Sequence, residues 1–488
     1  MILAASIDLS GIGIDYTAIL PELVVAATAI VVLLLELFVP PGQRRILAAV
    51  TVVGLIGALV ANIPLWGQNK TAFAGTVSGD SLAAFLNVVL IGVTIFTAII
   101  SPRYLRALRL DYGEYYILLL GATLGMMLLA AATSLMTIFL GIELLSICLY
   151  VLCGFARAQL RSQESALKYL LLGGFATGFL LYGMALIYGA TGSTVLSKIA
   201  AASGHDFGSN LLILGVLLMG IGFAFKVSAA PFQMWTPDVY EGSPIPVTAF
   251  MSVGTKAAAF AMIIRVFAGG LPHLAPEWQV LLAFVAATSM VVGNVMAIAQ
   301  SSLKRLLAYS GVAQAGYILI GVIAGGDAGL SAVLYYLFIY MFMNFGAFAV
   351  ITLLAGPDGD RDGFADLEGL GRRNPVLGIL MTIFMLSLAG FPPTVGFFGK
   401  LFLFTAGVSA GYTWLVVLAV LMSVVSVFYY VRVLIPVWST SSRTDAVPSS
   451  LTTTSVVALA GVASLALGLY PTTLLLVGQL ASNPNPGP

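Results

Sequence analysis

Charge is what this sequence has least of. Asp, Glu, Lys and Arg make up 8% of its 488 residues, where a soluble globular chain carries about 25%. The few charges also balance, 21 Lys and Arg against 20 Asp and Glu. There is no basic surface to attract phosphates, which excludes a nucleic-acid partner. Two cysteines, Cys148 and Cys153, fall in one apolar stretch; they supply neither a disulfide framework nor a zinc or iron–sulfur ligand set. Two histidines, His205 and His273, lie far apart and cannot alone ligate a haem. Linkers between domains are missing. The longest polar loop, residues 356–374, reads as a solvated connection carrying Asp358, Asp360, Asp362, Asp366, Glu368, Arg361, Arg372 and Arg373. The first fifteen residues lack the positive region of a secretory signal, so the first apolar run reads as an anchor. Together these absences exclude a soluble enzyme, a disordered chain and a disulfide scaffold.

What is abundant is apolar: 60% of the residues are hydrophobic. At ~20 residues per bilayer crossing, that leaves room for roughly fourteen spans. Runs of spanning length lie near 16–38, 46–66, 81–100, 115–132, 134–156, 164–190, 210–230, 245–269, 278–298, 303–325, 328–355, 375–408, 411–438 and 451–477. The weakest division is between the fourth and fifth, where only Ala132, Thr133 and Ser134 supply a turn. The expected fold class is an all-α polytopic membrane protein. The loops also orient it, because Lys and Arg concentrate on the cytoplasmic side. Loops after odd-numbered spans hold Arg44, Arg45, Arg103, Arg106, Arg109, Arg157, Arg161, Lys304, Arg305, Arg361, Arg372, Arg373, Arg432 and Arg443, whereas the even ones hold Lys70 and Lys198. The odd loops are expected to face the cytoplasm, with both termini outside.

The remaining basic residues, Lys168, Lys226, Lys256, Arg265 and Lys400, fall inside spans. A charge at mid-span costs at least ~2.5–3.5 kcal/mol on insertion scales, so such residues face a bundle interior and tend to be functional. Glu143 in LGIELLSICLY is the one acid deep enough to balance several lysines. Glu22 and Glu36, toward the two ends of the first span, read as interfacial, and so does Arg265 near the outer end of the eighth. Lys168 follows Glu164 by four residues, a spacing at which a snorkelling lysine pairs with its own helix.

Two prolines interrupt spans. Pro231 follows Lys226, and Pro392-Pro393 precede Lys400. Proline removes a backbone donor and clashes with the preceding turn, so spans seven and twelve should break inside the membrane. Irregular backbone at that depth is tolerated where it is buried or lines a watery cavity. The breaks are five spans apart, and an odd shift reverses the direction of crossing. Equivalent units of spans four to eight (111–270) and nine to thirteen (271–440) would therefore be inverted, as in ion-pathway proteins. Three helices (1–110) precede them, and a last helix with a short tail (441–488) follows, all in one integral-membrane domain. A lysine in low dielectric holds its proton weakly and one beside a carboxylate holds it strongly, so a movable partner makes a proton switch. Asn344, Gln314, Ser310, Tyr309 and Thr255 are candidates for neutral hydrogen-bond steps between such groups. No acid cluster suggests a metal site.

The stretch AFKVSAAPFQMWTPDVYEGSPIPV (224–247) resembles the signature of the antiporter-like membrane subunits of respiratory complex I. ESALKYLLLGG (164–174), LKRLLAYSGVAQAGYILIG (303–321) and FPPTVGFFGKLFLF (391–404) continue the likeness over most of the chain. Within that family the sequence is most similar to subunit N of bacterial NADH:quinone oxidoreductase. The M-type sibling usually has a glutamate where Lys400 stands, and the L-type continues into a long lateral helix.

The resemblance implies a fourteen-helix fold with two inverted five-helix repeats. It makes Glu143 the family's fifth-helix glutamate, Lys226 its partner on the broken seventh, Lys256 the central lysine of the eighth and Lys400 that of the broken twelfth. Lys168 would accompany the Glu143–Lys226 pair. Gln314 stands where some relatives have a histidine. The implied activity is that of a non-redox, proton-translocating subunit in a bacterial plasma membrane. NADH, FMN, iron–sulfur clusters and quinone would be handled by partner subunits, and the neighbours would be sibling antiporter-like and small membrane subunits. The alternatives are a subunit of a multi-subunit cation/proton antiporter, which shares the same lysines, and a structural membrane scaffold.

Overall fold

The structure is a computed structural model that describes residues 15–40, 42–203, 210–357, 359–440 and 450–482. His205, Asp358, Arg443 and the N-terminal fourteen residues lie outside the described residues.

Long apolar runs satisfy their backbone internally by becoming helices, the form a chain takes in lipid. The first three are α1 (Leu20–Glu36), α2 (Arg45–Asn62) and α3 (Ser81–Ala107). Then come α4 (Glu114–Ala131), α5 (Leu135–Cys153), α6 (Leu160–Thr191), the short α7 (Leu196–Ser203), α8 (Asn210–Lys226), α9 (Trp235–Gly242) and α10 (Ile245–Ile263). A π-helical stretch, Ile264–Gly270, extends α10. The next group is α11 (Ala275–Ile298), α12 (Leu303–Ala324), α13 (Gly326–Leu354), α14 (Leu370–Arg373), α15 (Pro375–Ala389), α16 (Val395–Ser409) and α17 (Thr413–Trp438). Helices α18 (Leu451–Leu469) and α19 (Pro471–Leu480) close the described chain. Among the described residues eleven helical stretches are long and apolar enough to cross a membrane, and α8, α15 and α16 are shorter apolar helices.

The two expected breaks are there. Between α8 and α9 the chain leaves the helix around Pro231, and between α15 and α16 it does so at Pro392 and Pro393. Lys226 closes the half-helix before its break, whereas Lys400 lies in the half-helix after its own. The doubtful turn at Ala132–Ser134 also separates two helices, α4 and α5, with the Ser134 hydroxyl accepting from Met136 N at 3.3 Å. Glycine lets these two approach: a Cβ on Gly125 would stand 2.6 Å from Leu145 N, a close fit of the small-residue kind common between membrane helices.

Several basic residues expected in loops lie in helices: Arg45 opens α2, Arg103 and Arg106 ride on the last turns of α3, Arg161 is in the first turn of α6, Lys198 is in α7, Lys304 and Arg305 open α12, Arg372 and Arg373 close α14, and Arg432 is in α17. A hairpin, β1 (Asn69–Ala72) with β2 (Val77–Asp80), fills the connection between α2 and α3 with antiparallel pairing of Asn69 to Asp80. Asp80 then caps α3, its Oδ1 accepting from Ala83 N at 2.8 Å.

Burial is graded. The apolar lengths of α10 and α12 are wholly buried and that of α13 is 94% buried, while α2, α6 and α17 bury a third. A charge on α10 or α12 therefore has to find its partner inside the protein.

Candidate functional site

Lys226 ends α8 at the break, 7% exposed. Its Nζ donates to the Ser146 hydroxyl of α5 at 2.6 Å, and Ser146 donates on to Ile142 O at 2.5 Å. The rings of Tyr169 and Phe225 each lie 5.9 Å from the ammonium, within reach of a cation–π attraction. Trp235, the first residue of α9, stacks on Tyr169 at 4.6 Å and donates Nε1 to Phe225 O at 3.1 Å. The aromatic stack thus pins both sides of the break.

Glu143 lies three residues before Ser146, on the same face of α5. Its Oε1 is buried and has no hydrogen-bond partner among the described residues. Glu143 and Lys226 do not meet as an ion pair within 4.0 Å, although Lys226 lies within the field of the carboxyl. The hydroxyl of Ser146 is the group in contact with the lysine.

Lys256, 1% exposed on α10, has no carboxylate partner within 4.0 Å among the described residues. Its Nζ donates to Gly311 O of α12 at 2.9 Å and to Val227 O, in the first break, at 3.4 Å. It therefore connects the interruption between α8 and α9 to α12. Gly311 makes that seat: a Cβ there would lie 3.2 Å from both Lys256 Cε and Nζ.

Ser310 and Gln314, beside Gly311 on α12, carry the polar row onward. Ser310 Oγ and the Tyr430 hydroxyl are 2.5 Å apart. Gln314 donates Nε2 to Tyr430 at 3.2 Å and to Leu388 O at 3.3 Å, and Tyr336 donates to Gln314 Oε1 at 2.5 Å. Leu388 is next to Ala389, whose carbonyl closes α15 and accepts from Lys400 Nζ at 2.9 Å. Lys400 also lies 5.0 Å from the Tyr317 ring, and it lines a cavity of about 370 Å³ with Gly390, Phe391, Pro392 and Val424. Lys226, Lys256 and Lys400 are thus seated at both breaks and between them, and Gln314, on the same helix as Gly311, bonds the carbonyl next to the one that Lys400 holds.

Other expectations are corrected by contacts. Lys168 makes the expected i,i+4 pair with Glu164 at 2.7 Å, but it also pairs with Asp238 at 2.8 Å, with 41% of its side chain exposed, rather than with Glu143. Arg305 pairs with Asp238 and Glu241, each at 2.8 Å. These charges, with Arg161, line a polar cavity of about 270 Å³. Asp238 belongs to α9, so α6 and α12 both hold the half-helix beyond the first break.

Arg265 is not interfacial but fully buried, gripping Asp80 through two bonds of 2.6 and 2.7 Å and donating to Ala130 O. Glu22 is also buried rather than interfacial. Glu36 is partly exposed and accepts from Gly113 N at 2.8 Å. Of the neutral candidates, Thr255 turns back to Met251 O of its own helix, and Asn344 bonds Ser252 at 2.7 Å. Among the described residues no side-chain bond of Tyr309 places it in the row. The residues that sequence reasoning missed are Ser146, Asp238, Tyr336 and Tyr430. Ser146 carried a signal in its spacing from Glu143, and Asp238 in its place within the 224–247 stretch.

A family model described as NADH:quinone oxidoreductase/Mrp antiporter, TM, matches residues 132–426. NADH-quinone oxidoreductase subunit N of Trichlorobacter lovleyi is 44% identical over 96% of this chain and 97% of its own length. The chain belongs to the NADH-quinone oxidoreductase subunit N family. A chain in a structure of respiratory complex I from Thermus thermophilus superposes with a TM-score of 0.81 at 36% identity, covering 93% of this chain and 98% of that one. A chain of the Mrp complex from Dietzia sp. reaches a TM-score of 0.82 at 23% identity, covering 96% and 97%; that likeness shows a shared fold and nothing more. Glu143, Lys226, Lys256 and Lys400 all fall within the matched region.

Proposed function

We propose that this chain is the proton-translocating membrane subunit N of an NADH-quinone oxidoreductase, moving protons along Glu143, Lys226, Lys256 and Lys400. The observation that carries the reading is the seating of three buried lysines at the two helix breaks and on the helix between them, each donating to a hydroxyl or a backbone carbonyl. Each lysine has an acceptor that supports its charged form, and none has a carboxylate in contact. Loading one therefore depends on groups that a small helix movement can bring nearer or take away.

The first break holds the switch: Glu143 supplies the field, Ser146 the contact, and α9 the moving part. Lys168 and Arg305 act through Asp238 to set where α9 stands. Displacing one elementary charge against 100 mV requires ~2.3 kcal/mol, which is the size of one lysine pKa change of ~2 units, about 2.7 kcal/mol. A shift in one such contact is of the right magnitude to drive the step.

The chain works as a non-redox part of a translocating oxidoreductase. Cys148 and Cys153 are buried and free, and the described residues gather no group of three or more His, Cys, Asp or Glu that would hold a metal. NADH, FMN, iron–sulfur clusters and quinone belong in this reading to partner subunits, and the membrane neighbours are antiporter-like siblings and small subunits. The chain lies in a bacterial plasma membrane with its termini outside, its fourteen crossings arranged as three helices, two inverted five-helix units (111–270 and 271–440) and a final helix. Native purification with identification of the co-purifying chains tests the assignment. Recovery of the other membrane and redox subunits is expected; recovery of a cation antiporter assembly without redox subunits would overturn it.

A further inference from the structure

The first three helices bury a titratable group that the lysine row does not use. Glu22 sits in the first turn of α1, 4% exposed, against Asn62 of α2 and Asn87 of α3, which are 1% and 0% exposed. Asn87 donates Nδ2 to Glu22 Oε1 at 3.4 Å and to Asn62 Oδ1 at 3.2 Å, while Asn62 donates to Ala84 O at 2.8 Å. Two oxygens are left over. Glu22 Oε2 and Asn87 Oδ1 are buried without a hydrogen-bond partner among the described residues.

Among the described residues no cation pairs with the carboxyl. The charged and titratable groups of the packed helices stand at the other membrane face: Glu36 on α1, Arg45 on α2, Arg103, Tyr104 and Arg106 on α3, and Glu114, Tyr115 and Tyr116 on α4. At ~1.5 Å per residue, Asn87 and Arg103 are roughly 24 Å apart along α3. On the near side Arg265 is taken by Asp80, and Lys70 is turned to the Thr17 hydroxyl at 2.8 Å.

With Glu22 ionised, the set presents two unfilled acceptors, and the donors that face the carboxyl are the Asn87 amide and the Glu22 backbone N–H in the first turn of α1. An isolated carboxylate in such surroundings takes up a proton rather than remain charged. A proton on Oε2 turns that oxygen into a donor beside the amide of Asn87, and the count of donors and acceptors balances. We propose that Glu22 is a proton-binding site in the α1–α3 unit, occupied at neutral pH and separate from the lysine row. The competing ligand for the same oxygens is an alkali cation.

The test uses membranes carrying the assembled complex. Dicyclohexylcarbodiimide attaches to protonated carboxyls in apolar surroundings, and the adduct is located by mass spectrometry. Labelling of Glu22 at neutral pH, falling severalfold in alkaline buffer and indifferent to Na⁺ at constant ionic strength, is expected. Infrared difference spectra between the parent complex and Glu22→Gln should show loss of one carbonyl band of a protonated carboxyl. Absence of that band together with absence of the adduct would overturn the proposal, and so would protection of Glu22 by Na⁺.

Discussion

Replacing Glu143 with Gln and Lys226 with Met, singly and together, probes the first break most finely. The two are not in ionic contact: their separation exceeds 4.0 Å. Two unit charges at 4 Å in an effective dielectric of 20 interact by about 4 kcal/mol, which is a ceiling on what either feels from the other. The hydrogen bond from Lys226 to Ser146, as a bond to a charged group, is worth about 1.5–3 kcal/mol. The coupling energy from proton-pumping rates should therefore lie between about 1.4 and 4 kcal/mol, roughly a tenfold to thousandfold departure from multiplicative losses. Ser146→Ala should shrink that coupling, because it removes the only side-chain hydrogen bond recorded for the lysine among the described residues. Glu143→Asp, which keeps the charge, should retain part of the activity. Pumping is measured in reconstituted vesicles and normalised to assembled complex. Additivity within ~0.5 kcal/mol, or a fully active Glu143→Gln variant, would refute the coupling.

Three further outcomes are expected. Arg265→Met should cost about 3–5 kcal/mol, because it strands the buried Asp80 carboxylate; a melting midpoint of the complex unchanged from the parent would contradict the pair's structural role. Lys168→Met should cost ~1 kcal/mol or less, since its pairs are part-exposed and screened, and Lys168→Arg should restore the loss; abolished pumping in the Met variant would place Lys168 in the proton row after all. Reporter fusions after residues 110 and 370 should read cytoplasmic and one after 75 external, and reversal of any one would break the fourteen-span topology.

The helical fold and both breaks could be read from apolar run lengths and from Pro231 and Pro392, because a bilayer leaves a chain few other solutions. Hydropathy also isolated Lys226, Lys256 and Lys400 as charges out of place. What it could not do was choose their partners. The i,i+4 spacing gave Lys168 its partner Glu164, but nothing linear showed that Lys168 also reaches Asp238 in a polar cavity or that Lys226 reaches Ser146 in the interior. Arg265 and Glu22 misled for a related reason. Nearness to a span end in sequence says nothing about depth inside a bundle, and the hairpin that carries Asp80 to Arg265 has too few residues to register among apolar runs. Tyr336 and Tyr430 were hidden because buried tyrosines are ordinary core residues until a neighbour such as Gln314 gives the hydroxyl a task.

Lys256 is the junction of the proposed row, tied to the first break through Val227 and to α12 through Gly311. The most direct measurement is the number of protons moved per NADH oxidised by purified, reconstituted complex carrying Lys256→Met, with Lys256→Arg alongside. The Met variant should assemble and lose most of its coupled proton transfer, while the Arg variant should fail less completely. A normal proton-to-NADH ratio in the Met variant would contradict a proton path through this lysine.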